Sequence, residues 1–338
     1  MDTLRLDNSN EAIEQAGALL AQGEVVAFPT ETVYGLGALA TNETAVQKIF
    51  AAKGRPSDNP LIVTVASPSQ VTAFAWVNDE VRALMTAFWP GSLTMILPMK
   101  ADTLSMTVTG GLQTVAFRLP DNAVARAVIR AAGGPIVGPS ANLSGKPSPT
   151  TAEHVWHDMQ GRIAAIVDDG PTQVGVESTV VDLSGEVPTV LRPGAITAEQ
   201  ISAVLGVAVL DATSTKSVAA DVTPKAPGMK YRHYAPDVPV VMFDALDAQD
   251  LRAALQPNDV VMALDDTLAK LGDWPVTQTW SLGSTPESAT EQLFAGLRRF
   301  DDGRDGQIYV EVMPPIGVGL AYNNRLAKAA SEQWFTVM

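Results

Sequence analysis

Along residues 1–207 the apolar positions fall into two kinds of short run, and their alternation predicts an α/β fold. Helical spacing marks residues 10–22, where Ile13, Ala16, Leu19 and Leu20 share a face ahead of Gly23, and residues 42–52, where Val46, Ile49 and Phe50 do the same. Further helical segments fall at 68–75, 78–88, 121–132 and 197–205. Between them VVAFPT, LIVTVA, WPGSLTMIL, TVAFRLP (114–120), PIVGPSA (135–141), AAIVDDG (164–170) and VESTVVDL (176–183) read as strands. The alternation lacks the strict regularity of a wholly parallel sheet, so a mixed sheet with helices packed against it is expected.

Residues 208–236 break this pattern. The stretch is rich in Ser, Thr, Ala and Pro and has little periodicity, which predicts an interdomain linker between a domain at 1–207 and a second at 237–338. In the second, VPVVMF, DVVMALDD, TQTWSL and QIYVEVMP read as strands separated by helices at 246–256, 286–302 and 319–331, the pattern of a small three-layer domain with a mainly parallel sheet. Ser284-Thr285-Pro286-Glu287 is a helix start: a hydroxyl cap, proline in the first turn and an acid at the positive end of the dipole.

Composition narrows the functional classes. The chain of 338 residues has no cysteine, which excludes disulfide scaffolds, thiolate metal sites and cysteine nucleophiles. Met1 leads into a charged and polar stretch and no apolar run is long enough to span a bilayer, so a cytoplasmic protein is expected. The formal net charge is -14 and both domains carry an acidic excess, which disfavours broad binding to a nucleic-acid backbone.

Against that acidity the cations stand out. Lys53 and Arg55 are expected on a loop stiffened by Pro56 and Pro60, where they either complement the end of the preceding helix or, with Asn59, clamp a polyphosphate. Arg118 and Arg192 lie near the ends of apolar strands, where a charge must meet water or an anion. Gly35-Leu36-Gly37-Ala38-Leu39-Ala40 formally fits a dinucleotide fingerprint, but TETVY separates it from the preceding strand, so the glycines are expected to shape a tight turn. Thr30, Thr32 and Tyr34 alternate beside it, which would place three hydroxyls on one side of an extended segment. GPSANLSGKPSPT (138–150) is either loop chemistry alone or a strand-end loop whose Ser140, Asn142 and Ser148 bind a ligand. Of the three histidines, His154 and His157 read as surface residues of a helix, and no further ligand completes a zinc site.

FPTETVYGLG, KGRPSDNPLIV, WPGSLT, TVAFRLP, GPSANLSGKPSPT, GVESTVVDL, VLRPGAI and APGMKYRHYAP occur in the order seen in L-threonylcarbamoyladenylate synthases of the long, two-domain type, and the chain resembles that family over roughly residues 5–238. The resemblance implies a YrdC-like mixed twisted sheet with helices around a concave cleft, plus a smaller Rossmann-like α/β C-terminal domain. It implies condensation of L-threonine, bicarbonate and ATP into threonylcarbamoyl-AMP and pyrophosphate, a nucleotidyltransferase reaction that feeds the threonylcarbamoyladenosine modification of tRNA position 37 through downstream transfer machinery. By the same resemblance Thr32, Arg118, Gly138 and Ser178 hold threonine. Arg55, Asn59, Thr114, Ser140, Ser148 and Arg192 surround ATP, Lys53 and Arg55 act on its phosphates, and Tyr231 reaches back onto the nucleotide. Thr64 stands where many long-type relatives carry His, and is kept as a threonine contact. Magnesium is expected with ATP, held mostly by phosphates and water. The competing class is a non-catalytic RNA-binding or ribosome-maturation factor of YrdC-like fold. A hydrogenase-maturation carbamoyltransferase would need zinc-finger cysteines, which this chain lacks.

Overall fold

The computed structural model describes residues 2–55, 59–212 and 233–336. In the N-terminal part the chain runs β1 (Leu4–Leu6), α1 (Asn10–Ala21), β2 (Val26–Phe28), β3 (Gly35–Leu39), α2 (Glu43–Lys53), β4 (Ile62–Thr64), α3 (Asp79–Phe88), β5 (Leu93–Pro98), α4 (Met106–Thr109), β6 (Thr114–Arg118), α5 (Ala123–Ala131), β7 (Ile136–Val137), α6 (Ala152–Met159), β8 (Ala165–Val167), β9 (Thr179–Asp182), β10 (Thr189–Arg192), α7 (Ala198–Leu205) and β11 (Leu210–Asp211). These strands form one mixed sheet of 11, in the order β1-β8-β2-β3-β7-β4-β6-β5-β9-β10-β11. The predicted helices and strands are present, with ends moved by a residue or a few, and 68–75 is a short 3-10 turn.

Alternation along the strands assigns the faces. Val26 and Phe28 pack with Ile13, Leu20, Val128 and Ile129 of α1 and α5, whereas Ala27 joins the core on the opposite side with Val46 and Ile49 of α2. In the middle of the sheet Ile62, Ala116 and Ile96 lie in register across β4, β6 and β5, and one rung further Thr64, Arg118 and Thr94 do the same. With a period of two these rungs share a face, which passes from apolar to polar toward the end where the site forms.

Two expectations are corrected here. Gly35 and Gly37 belong to strand β3, antiparallel to β2, with Phe28 opposite Gly35 and Val26 opposite Gly37. A Cβ at Gly35 would come 2.6 Å from Phe28 Cζ, so the glycine makes room for a ring crossing it from the neighbouring strand. The segment before it is a turn: Thr30 Oγ1 accepts from the backbone N–H groups of Thr32 (3.1 Å) and Val33 (3.2 Å). The Tyr34 hydroxyl points elsewhere, donating to the Gly170 carbonyl at 2.7 Å, so the three hydroxyls do not share a side.

The C-terminal part is a parallel sheet of four strands, β12 (Val240–Phe243), β13 (Val260–Ala263), β14 (Thr279–Ser281) and β15 (Ile308–Glu311), in the order β12-β15-β13-β14. Helices α10 (Pro286–Arg299) and α11 (Val318–Ala329) cover one face through Leu293, Phe294, Tyr322 and Leu326, while α8 (Ala248–Ala254) and α9 (Asp265–Leu271) cover the other through Leu251 and Leu271. Thr285 caps α10 with Pro286 in its first turn. Helix α9 begins inside a run read as strand; seven residues are too few to display a period.

The described ends of the linker are structured. Leu210 and Asp211 pair in parallel with β10, and Tyr234 and Ala235 are buried. Val33, Val176 and Tyr234 share the hydrophobic core formed with α10 and α11, so apolar packing is continuous between the two sheets.

Candidate active site

The ends of β4, β6, β9 and β10, the turn before β3 and the loop after β7 enclose a cavity of about 70 Å³, and residues 233–234 close one side of it. Three arginines face it, Arg55, Arg118 and Arg192, together with Lys146 and the carboxylate of Glu177. Gly138 forms part of the floor. A Cβ there would lie 2.5 Å from Thr64 Oγ1 and 3.1 Å from Phe28 Cζ, so a larger residue would take space from the cavity wall.

Arg118, Arg192 and Glu177 each have partners that fix them. Arg118 Nη2 pairs with Glu31 Oε2 at 2.8 Å, and Ser92 Oγ donates to the other Glu31 oxygen at 3.0 Å. The Arg118–Glu31 contact is an ion pair rather than an aligned hydrogen bond: neither Nε nor Nη2 of Arg118 has a hydrogen-bond partner among the described residues, so donors of the fork are left for an anion. Arg192 Nε donates to the Ser178 carbonyl at 3.1 Å and its Nη2 to Ser178 Oγ at 3.2 Å, while Ser178 Oγ lies 2.7 Å from Thr94 Oγ1. His233 presents a buried Nε2 without a partner among the described residues. Burial, with the charge of Arg55 next in weight, pushes its imidazole down to about 4, so it is neutral at physiological pH.

Glu177 is held from both domains. Ser148 Oγ donates to one carboxylate oxygen at 2.5 Å, and Arg325 Nε, from α11, donates to the other at 2.7 Å. Burial alone would raise the Glu177 carboxyl, but Arg325, Arg192 and the Ser148 hydrogen bond outweigh it and hold it at about 2. With the folded value below the ordinary 4.5, the stabilisation is complete above pH 4.5 and is lost as pH falls toward 2, a contribution of about 3 kcal/mol at neutral pH. Thermal melting of wild type and Glu177→Gln should therefore differ most above pH 5 and converge near pH 2. Parallel curves across that range would show that the carboxylate is not the source.

Residues 18–194 match the family described as "Telomere recombination", and residues 196–331 match "Threonylcarbamoyl-AMP synthase, C-terminal domain". The threonylcarbamoyl-AMP synthase of Bacillus subtilis is 49% identical over 333 residues, 97% of this chain and 95% of that protein. The chain belongs to the threonylcarbamoyl-AMP synthase family. The Pyrococcus abyssi synthase is 42% identical over 96% of both chains. A crystal structure of Pyrococcus abyssi Sua5 complexed with L-threonine superposes with a TM-score of 0.90 at 39% identity, covering 100% of each chain. The α/β fold with its large mixed sheet is thus that of a two-domain synthase.

Within this synthase fold the cavity brings together Arg55, Thr64, Arg118, Gly138, Ser140, Ser178 and Arg192, which are scattered along the sequence. Other expected site residues stand apart from its lining. Thr32 lies behind Thr30, its hydroxyl 3.0 Å from Thr30 Oγ1. Thr114 opens β6, at the opposite end of the strand from Arg118. Ser148 stands behind Glu177, and Asn59 is fully buried with neither amide atom hydrogen-bonded among the described residues. Tyr231 lies outside the described residues.

Lys53 is corrected most. It is the last residue of α2 rather than a loop residue, it is buried, and its ammonium nitrogen donates to the carbonyls of Ser140 and, at 2.7 Å, Asn142. Burial and the charge of Arg55 depress it to about 7. Its visible task is to tie the end of α2 to the 138–150 loop. Asn142 folds that loop on itself, donating to the carbonyls of Leu143 (2.7 Å) and Lys146 (2.9 Å). His154 is also not a surface residue: it is half-buried, with Nδ1 3.3 Å from Thr150 Oγ1, and only His157 is exposed.

The residues missed by the sequence reading are Glu31, Glu177, His233 and Tyr234. Glu31 and Glu177 sit inside the motifs FPTET and GVEST, but a search for cations in an acidic chain passes over their counter-ions. Tyr234 stacks on Phe294 of α10, with ring centroids 5.3 Å apart. No pattern in the sequence links that pair.

Proposed function

We propose that the protein is an L-threonylcarbamoyl-AMP synthase that condenses L-threonine, bicarbonate and ATP, releasing pyrophosphate, and that its product serves the threonylcarbamoyladenosine modification of tRNA. The observation that carries this is the pocket lined by three arginines in a chain of the synthase family. Nothing observed favours a non-catalytic RNA-binding role. Among the described residues no helix is long and apolar enough to cross a membrane.

The chemistry asks for positioning and charge neutralisation more than for a nucleophile. The threonine amine and bicarbonate form a carbamate with loss of water; a carbamate oxygen attacks the α-phosphorus of ATP, and the bond to the β-phosphate breaks as pyrophosphate leaves. Arg118, held by Glu31, offers the donors of its fork to the threonine carboxylate, with Thr64, Gly138 and Ser178 around the rest of the amino acid. Arg55 and Arg192 face the phosphates, where preorganised cations stabilise the charge gathered on the leaving group. Among the described residues no cluster of acids and histidines could cage a metal, and Glu31 and Glu177 are taken up by arginines. Magnesium would arrive with the ATP phosphates.

The decisive assay is pyrophosphate release by purified protein. Release is expected only with threonine, bicarbonate and ATP together, yielding a threonine-containing adenylate. Release that ignores threonine or bicarbonate would overturn the proposal.

A further inference from the structure

Resting on that reading of the site, we infer that Arg325 of the C-terminal domain is a positioning residue: it holds the Glu177 carboxylate away from Arg192 and so keeps the Arg192 guanidinium for the nucleotide. Arg325 is wholly buried in α11 and touches Glu177 twice, through Nε to Oε2 at 2.7 Å and through Nη2 to the Glu177 carbonyl at 3.2 Å. The next residue along the chain is Ser178, whose carbonyl and hydroxyl hold Arg192. Glu177 and Arg192 line the same cavity, and the carboxylate feels the charge of both Arg192 and Arg325, the latter supplied by the other domain.

Chemistry decides what happens when one partner is missing. A buried carboxylate cannot stay ionised and unpaired without a large desolvation cost. Without Arg325, Glu177 retains two neutral hydroxyl donors, Ser148 and Tyr234, neither of which replaces a charge, and the cation beside it in the cavity wall is Arg192. Turning toward Arg192 would satisfy the carboxylate and neutralise a cation that the phosphates require. The C-terminal domain thereby sets the charge of a site formed mainly by the other domain. Its grip is reinforced at Tyr234, whose ring lies 5.8 Å from the Arg325 guanidinium carbon.

The test compares Arg325→Met, Arg325→Lys and the double variant Arg325→Met/Glu177→Gln by calorimetric titration with ATP and magnesium, which reads the site whether or not the protein turns over. Arg325→Met is expected to weaken ATP binding about tenfold or more while threonine binding changes little. Removing the carboxylate as well should restore most of the lost ATP affinity, a coupling that a merely structural arginine would not show. A double variant no better than Arg325→Met, at comparable melting temperature, would overturn the inference. If Arg325→Met fails to fold, Arg325→Lys serves: it keeps the charge but loses the two-pronged contact, and unchanged ATP affinity in it would also overturn the inference. Failure of the synthase reading is separate, since it appears as wild-type protein that binds ATP yet releases no threonine-dependent pyrophosphate.

Discussion

Replacement of Arg118 with alanine is expected to lower kcat/KM for threonine by about 10²–10³-fold, the effect of removing a buried charge that pairs with the substrate carboxylate, worth about 3–4 kcal/mol. Arg118 ends β6 in register with Thr64 and Thr94, so strand pairing on both sides fixes its position. Glu31 pairs with one terminal nitrogen at 2.8 Å, leaving donors of the fork free. The single variant also strands Glu31 in the protein interior, which would cost stability for a reason unrelated to threonine. Arg118→Ala/Glu31→Gln separates the effects: melting temperature should recover in the double variant while the threonine defect persists. If threonine kcat/KM in the double variant returned to the wild-type value, Arg118 would be a structural residue and the amino-acid site would lie elsewhere.

The sheet was legible in the sequence because its strands alternate and its helices carry long apolar faces. Val26 and Phe28 against Ala27 is enough to orient a strand of three residues. The glycines of β3 misled because glycine favours turns in isolation, whereas here its missing side chain admits the Phe28 ring from a strand the sequence alone could not place beside it. Lys53 misled in a related way. A lysine at a helix end is ordinarily a solvated cation, and only the fold brings the Ser140 and Asn142 carbonyls to it. Arg118 and Arg192 were found because a charge beside apolar strands is anomalous anywhere, and Arg55 because the prolines around it in the sequence point to a stiff loop.

The interface between domains was the least legible part, since its contacts join residues more than a hundred positions apart. Arg298 of α10 bridges to Asp158 of α6 at 2.8 Å and also donates to the Pro147 carbonyl, while Lys146 reaches Asp301 at 2.9 Å. Lys146 also lines the cavity, so the loop that forms one wall is pinned from the C-terminal domain. A generic α/β pattern in the last hundred residues discloses none of this, because such a pattern specifies layers and not the side chains that a neighbouring domain will meet.

That dependence predicts an effect larger than its chemistry suggests for Gly175→Ala. Gly175 has φ +79, and a Cβ there would overlap the Thr290 carbonyl oxygen and the Glu291 Cα of α10. Gly170 offers a matched control with the same φ of +79, because a Cβ there meets nothing within 4 Å. Gly170→Ala should therefore cost only the left-handed backbone penalty, about 1–2 kcal/mol. Gly175→Ala bears that penalty and must also push α10 away from the segment leading to Glu177 and Ser178, loosening the Arg325 contact and the shared packing of Val33, Val176 and Tyr234. We expect it to lose at least about 3 kcal/mol of stability, to become sensitive to limited proteolysis between the domains, and to lose most pyrophosphate release, while Gly170→Ala retains it. Equal losses in the two variants would assign the effect to backbone strain. In that case close docking of α10 would not be what holds the Glu177 and Ser178 wall of the site in place.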